Sequence, residues 1–451
     1  MSFPPRQPQE AADFLAANPD IEAVDLILTD ANGVARGKRL RPHELAQVYA
    51  HGRYLPGSIL GLDLLGHDVH DTGLVWDDGD ADRLCLPVAG SLVRSPWQPR
   101  PTAQALLSMY ELDGRPAHGD PRHALARAVG RLGELGYTPV AAIELEFYLL
   151  DAASIASGRP RPIGSRAETT RVYEVDALDE LGEFLSDLHR AADVQGVPSE
   201  TAISEFAPGQ YELTLHHRTD ALRAVDEAIM WKRLVRGVAA RHGMAATFMA
   251  KPFTGQSGSG MHVHVSLNDR DGRNVFAAED PAGTPLLGQA IAGLMLTMAD
   301  AQAVFAPHAN SYRRFRAQSY APLIANWGIN NRSVSLRIPA GPAPSRHLEH
   351  RVAGADANPY LVLAVVLEGI RKGLLERLNP GAPVLANGYD HPGERIPATW
   401  LDAIERAEAS AFLREALGAD FLRVYTAIKR QEWDKFDAEV SELDWRWGLG
   451  I

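Results

Sequence analysis

Apolar residues dominate Ile21 to Thr29 and return in Val34 to Leu40, with Asp30-Ala31-Asn32-Gly33 between them, a spacing that predicts a β-hairpin. A short helix ends before Asn18-Pro19, and another starts at Pro42. Asp77-Asp78-Gly79-Asp80 reads as a loop and the proline-bearing stretch Pro96 to Pro101 as a linker, so a first domain is expected over 1–110 and a second over 111–451. In the second the period changes. Asp120 caps a helix with Pro121 at its first position and Gly136 past its end. Helical patterns run from Asp176 to Gln195, Thr219 to His242 and Asn358 to Leu378, and the C-terminal part is mostly helical. Strands are predicted at Pro139 to Leu150, Glu200 to Phe206, Tyr211 to Leu215, Ala245 to Met249, Met261 to Leu267 and Ser333 to Ile338. A sheet backed by long helices, α+β in class, follows.

Composition adds exclusions. The 451 residues are 45% hydrophobic and 23% charged, an ordinary globular balance. Lys and Arg number 45 against 57 Asp and Glu, and the net charge of −12 disfavours nucleic acid or an anionic membrane as partner. No apolar run approaches the roughly 18 residues of a membrane span, and the first residues lack the apolar core of an export signal. Cys85 is the only cysteine, which rules out an intrachain disulfide and a cysteine zinc site. A cytoplasmic protein is expected.

The chemistry lies in acidic residues set among apolar ones. In Ala142 to Tyr148 the period of two puts Ile143, Leu145 and Phe147 on one face and Glu144 with Glu146 on the other. Pro208-Gly209 reads as a turn that brings Glu205 and Glu212 together on adjacent strands. After a glycine-rich loop, His262, His264 and Ser266 share a strand face; Glu349 and Arg351 share another if that segment is extended. Taken singly, each motif is more often surface, or a satisfied core histidine, than a ligand. Jointly they predict a carboxylate-lined cavity for divalent cations, and oxygen ligands with one imidazole favour Mg²⁺ or Mn²⁺. Arg313, Arg314, Arg316, Arg332 and Arg337 supply guanidinium forks suited to phosphates and carboxylates, although no P-loop is present.

These segments together resemble the glutamine synthetase family, along essentially the whole chain. The motifs are Ile143 to Phe147, Glu205 to Glu212, Lys251-Pro252 with Gly258 to His264, Asn310 to Arg314, Asn331 to Ser333 and Ala357 to Tyr360. The resemblance implies an N-terminal β-grasp domain, a catalytic domain with an antiparallel sheet backed by helices, and a homododecamer of two hexameric rings with active sites between subunits. It implies two or more Mg²⁺ or Mn²⁺ per site, with Glu146, Glu205 and Glu212 on one metal and Glu144, His262 and Glu349 on the other. Gly258, Arg314 and Arg351 would bind glutamate. His264, Ser266, Arg332 and Arg337 would bind ATP, with Arg332, Arg337 and Glu349 in catalytic roles. The implied reaction is ATP-dependent ligation of glutamate to an amine through γ-glutamyl phosphate.

Departures from the family pattern bear on the amine. Pro56 and Tyr320 stand where glutamine synthetases carry the Asp and Glu that bind ammonium. An alkylamine, unlike ammonium, gains about 0.8 kcal/mol per buried CH₂. The pattern therefore resembles the γ-glutamylpolyamine (γ-glutamylputrescine) synthetase branch, with Pro56, Asp63 and Tyr320 at the amine pocket and Asp63 as a candidate proton acceptor. Trp327 is a further candidate lining residue. His347 replaces a phosphate-contacting Arg, for which Arg346 is a candidate substitute, and Ser257 replaces an Asn. A glutamine synthetase using ammonium and a non-catalytic homologue stay open as alternatives.

Overall fold

The computed structural model describes residues 3–164 and 170–451. The Asp30–Gly33 turn closes as its sequence predicts: Asp30 Oδ1 accepts from the N–H groups of Asn32 and Val34, each at 2.9 Å, and Gly33 takes φ +76°. The strands it joins, Ala23–Thr29 and Ala35–Leu40, belong to a six-stranded sheet. Its central strand is Thr102–Tyr110, parallel to Ala23–Thr29 and antiparallel to Asp82–Pro87. Arg53–Pro56 closes the far edge. Thr102–Tyr110 is buried on both faces, so it lacks the alternation that marks a strand in sequence. The proline-bearing stretch before it is a loop within this sheet, between Val93–Arg94 and Thr102–Tyr110, and not a linker between domains. Trp97 anchors that loop against Gly237, where any side chain would lie 2.2 Å from the indole.

The second sheet has eight strands, in the order Trp327–Ile329, Leu336–Ile338, Leu348–His350, Met261–Asn268, Thr138–Asp151, Gln210–Leu215, Ser199–Ser204, with Met244–Thr247 on the far end of Thr138–Asp151. All pairs are antiparallel except the first. Ile143, Leu145 and Phe147 are fully buried on the helical side, where Ala221–Arg241 packs. Pro359–Glu376 packs on Pro121–Glu134 and Pro285–Thr297. Its approach to the last is so close that a Cβ on Gly293 would lie 2.2 Å from the Gly369 carbonyl.

Beyond shifts of one or two residues at strand and helix ends, two elements differ from the sequence reading. The pattern over Asp176 to Gln195 breaks into Val175–Asp179 and Gly182–Gln195, because Leu181 leaves helical geometry to bury its side chain and Gly182 holds the helix weakly. Ser333–Ser335 turn before the strand begins at Leu336. The caps hold: Asp120 accepts from the Arg122 N–H, and Asn358 from that of Tyr360. Asn358 Nδ2 also donates to the carbonyls of Asp30 and Ala31, tying the hairpin turn to the second sheet's helices. Among the described residues no helix is long and apolar enough to cross a membrane.

Candidate active site

Register turns separate sequence motifs into one surface. On the face of Thr138–Asp151 opposite the helices, Glu146 pairs across to Glu212, and Glu144 to His262 on the other side. Farther along, His264 lies opposite Glu349, which in turn lies opposite Arg337. His262 Nδ1 is 2.6 Å from Glu144 Oε1 and 3.7 Å from Glu349 Oε1, and His264 Nε2 is 3.3 Å from Glu144 Oε2. Two constellations result, Glu144 with His262 and Glu349, and Glu146 with Glu212 and His262; within each, all ligand atoms lie within 4.8 Å of one another. The first is the trio expected for one metal. The second holds Glu146 and Glu212 of the other expected trio together with His262; Glu205 lies outside this set, near enough for its charge to act on Glu212 and for that of Glu146 to act on it.

The charges on this face are strained, and the strain has a direction. Burial and then the charges of Glu146 and Glu144 push Glu205 up to about 8, with Arg332 only partly opposing them. Burial and the charges of Glu144 and Glu146 likewise hold Glu212 well above the usual carboxylate range. At the other end, burial opposes ionisation of Glu144 and Glu349 but is outweighed. Hydrogen bonds from His262 and His264 hold Glu144 well below its ordinary value, and the Arg351, His264 and His262 charges hold Glu349 at about 2. Crowded carboxylates that favour protons in isolation are the donor set a divalent cation relieves, and its oxygen-rich character with one imidazole fits Mg²⁺ or Mn²⁺.

Arginines rim the carboxylates. Arg314 is buried, donating from Nη1 to the Val352 carbonyl at 2.7 Å and from Nη2 to that of Arg351 at 3.3 Å. Its stem fills the space over two glycines. A Cβ on Gly258 would sit 2.7 Å from Arg314 Cγ, and one on Gly260 2.9 Å from Arg314 Nη2. Arg351 and Arg337 both pair with Glu349, the latter at 2.8 Å, yet the Nε of each has no hydrogen-bond partner among the described residues. Buried donors left over in this way suit an oxyanion. Arg332 is exposed and reaches the site through its charge on Glu205.

Beside Glu144 a cavity of about 450 Å³ opens, lined by His264, Ser266, Asn274, His216, His217 and His347, among others. His264 and Ser266 are thus brought together as expected. Arg346 turns away, donating to the Ala278 carbonyl, and does not replace the missing Arg; His347 lines the cavity instead, its Nε2 3.1 Å from His264 Nδ1. Trp327 is a core residue with its N–H on the Pro380 carbonyl, and no lining role remains for it.

The amine-pocket residues divide. Tyr320 is half exposed beside Phe206. Pro56 ends the edge strand of the first sheet. The reading of Asp63 as a proton acceptor is corrected, because its carboxylate is buried and fully engaged. Oδ1 accepts from the N–H groups of Leu65 and His67, and Oδ2 from Gln431 and Lys435. Burial opposes its ionisation, but the Lys435 and backbone hydrogen bonds win and hold it at about 2.

The motifs alone do not mark Gln210. Buried beneath the site, its Nε2 donates to Glu146 Oε2 at 3.2 Å and to the Gly258 carbonyl at 3.0 Å, so it orients a carboxylate of the second constellation and the glycine loop at once. Its place beside the Pro208-Gly209 turn and two residues before Glu212 is the only hint in sequence. Asn330 similarly accepts from Arg337 Nη2 at 3.1 Å.

Residues 118–448 match the family described as glutamine synthetase, catalytic domain. The chain belongs to the glutamine synthetase family. It is 41% identical to the γ-glutamylputrescine synthetase PuuA of Escherichia coli (strain K12), over 98% of this chain and 94% of that protein. To a glutamate–isopropylamine ligase of a Pseudomonas species it is 35% identical, over 97% of each. A solved structure described as a GmaS/ADP complex superposes with a TM-score of 0.87 at 27% identity, covering 98% of this chain and 99% of that one.

Proposed function

We propose that this chain is an ATP-dependent ligase joining the γ-carboxylate of glutamate to a primary amine. The observation that carries the reading is the meeting, on one sheet face, of the two carboxylate and imidazole constellations with the buried Arg314 and Gly258 cradle. In the first step a γ-carboxylate oxygen attacks the terminal phosphorus of ATP, and the bond to ADP breaks. In the second the amine nitrogen attacks the acyl carbon, phosphate departs with the C–O electron pair, and the nitrogen gives up a proton. Glu144, His262 and Glu349, and Glu146 and Glu212 with Glu205 beside them, would hold divalent cations, which when bound would neutralise phosphate charge. Arg314 and Arg351 grip the carboxylates of glutamate over Gly258, while Arg332 and Arg337 face the transferred phosphoryl group. His264 and Ser266 flank the nucleotide. His347 adds an imidazole that burial, and then the charge of His264, keeps below its ordinary pKa, so it serves as a neutral contact rather than a cation.

A hydrocarbon-bearing amine such as putrescine is the favoured acceptor, supported by Pro56 and Tyr320 in place of the anions an ammonium site needs and by the substrates named for the two relatives. We also read the chain as domains 1–110 and 111–451, cytoplasmic, assembled as a dodecamer of two hexameric rings. In favour of the division, the first sheet's central strand ends at Tyr110 and the family match begins at residue 118. Phosphate release with glutamate, ATP and Mg²⁺ against ammonium, putrescine, isopropylamine and ethanolamine tests the reading. Turnover with alkylamines is expected, and preference for ammonium would return the chain to the glutamine synthetases proper. Light scattering of the purified protein tests the assembly.

A further inference from the structure

Glu205 and Phe206 follow one another at the end of Ser199–Ser204, so the residue beside the crowded carboxylates is a large aromatic. Phe206 is 40% exposed and Tyr320 50%. The two rings are neighbours, with centroids 5.5 Å apart and planes tilted by 31°. They come from two segments distant in the chain: Phe206 follows Glu205 directly, and Tyr320 lies in the loop after Arg314.

That second loop is built to hold its ring in place. Gln318 and Tyr320 both adopt positive φ, +61° and +59°, a conformation that costs side-chain-bearing residues about 1 kcal/mol or more each. The loop keeps it through two anchors. Ser319 Oγ donates to the carbonyls of Arg314 and Arg316, at 3.2 and 2.7 Å, and the Tyr389 hydroxyl donates to the Ala321 carbonyl at 3.0 Å. A strained, doubly pinned loop that ends by presenting an aromatic ring to solvent, beside a second exposed ring, invites an apolar occupant.

We propose that Phe206 and Tyr320 together form the wall that selects the hydrocarbon portion of the amine, Phe206 being a specificity residue not otherwise assigned. The proposal rests on the ligase reading above and names the class of its acceptor, a primary amine carrying an alkyl chain. An ammonium ion has no surface to lay against the rings, whereas each methylene does. The wall acts on binding of the chain, leaving phosphoryl transfer to the carboxylates and arginines.

The test is the slope of kcat/KM across ammonium, methylamine, ethylamine, propylamine and butylamine, with glutamate and ATP saturating. The wild-type slope is expected to be about fourfold per methylene, the equivalent of about 0.8 kcal/mol. Phe206→Ala and Tyr320→Ala should flatten it to below twofold, while Tyr320→Phe, which keeps the ring, should preserve it. Phe206→Trp, which retains packing, should move the optimum toward the shorter amines. Cooperative thermal unfolding of each variant establishes that it is folded, and Phe206→Trp carries the test if the alanine variants are not. Alkylamine turnover in the wild type with an undiminished slope in Phe206→Ala and Tyr320→Ala, or an unmoved optimum in Phe206→Trp, overturns the wall and leaves the ligase standing. A wild type that uses ammonium alone, or no amine, overturns both.

Discussion

His262 Nδ1 lies 2.6 Å from Glu144 Oε1, and the same imidazole belongs to both constellations able to hold a metal ion. One ring on Met261–Asn268 thus links the carboxylates of Thr138–Asp151 and Gln210–Leu215 with Glu349 on Leu348–His350.

Loss of that ring should therefore weaken both metal positions together. His262→Ala is expected to lower Mn²⁺ affinity by about 10- to 100-fold or more, the range seen when even a supporting partner of a metal ligand is removed. Glu212→Gln should weaken a single class of site. Calorimetric titration with Mn²⁺ reads both, and two unaffected binding events in His262→Ala would contradict the shared role.

Metal binding should depend on pH with a definite sign. Glu205 titrates at about 8 and Glu212 is also raised, so below that range a cation must displace protons to bind. Apparent affinity should rise as pH increases toward about 8, with proton release visible as a buffer-dependent heat. The metal-free protein should behave oppositely. Glu205 is protonated when folded but ionised when unfolded between its ordinary 4.5 and about 8, so stability falls across that window as pH rises. Thermal melts in chelator, repeated with Mg²⁺, should show the decline and its relief.

Gly258→Ala should damage glutamate binding selectively. Its Cβ would stand 2.7 Å from both Arg314 Cγ and the Ala250 carbonyl, and the backbone atom cannot yield as a side chain can. Arg314 must shift, and the KM for glutamate is expected to rise at least tenfold, whereas ATP affinity should change far less. Initial rates against glutamate and calorimetry with ATP distinguish the two.

Asp63 should matter to stability and not to amine choice. Asp63→Ala removes the acceptor of four hydrogen bonds, two from the N–H groups of its own loop and two that join the loop to Ala419–Asp437, a loss of about 1–3 kcal/mol for the groups left unpaired. A lower midpoint in urea with an unchanged ratio of kcat/KM for putrescine over ammonium is expected. A changed ratio would restore Asp63 to the amine site.

By itself the sequence determined what is local. The alternation from Ile143 to Phe147, the caps at Asp120 and Asn358 and the Asp30–Gly33 turn each depend on neighbours along the chain, and each forms as read. Thr102–Tyr110 was not legible, because a strand covered on both faces has no polar side to set its period. Tertiary structure decided which side chains meet. Glu205 and Asp63 are the same kind of group in sequence, but cross-strand register put His262 beside Glu146 and Glu212, and the helix Ala419–Asp437 claimed Asp63. Gln210 and Phe206 acquire their roles in the same way, from atoms distant in the chain. Side-chain type and spacing fix what a residue can do; desolvation and the charges that folding brings within a few ångströms fix what it does.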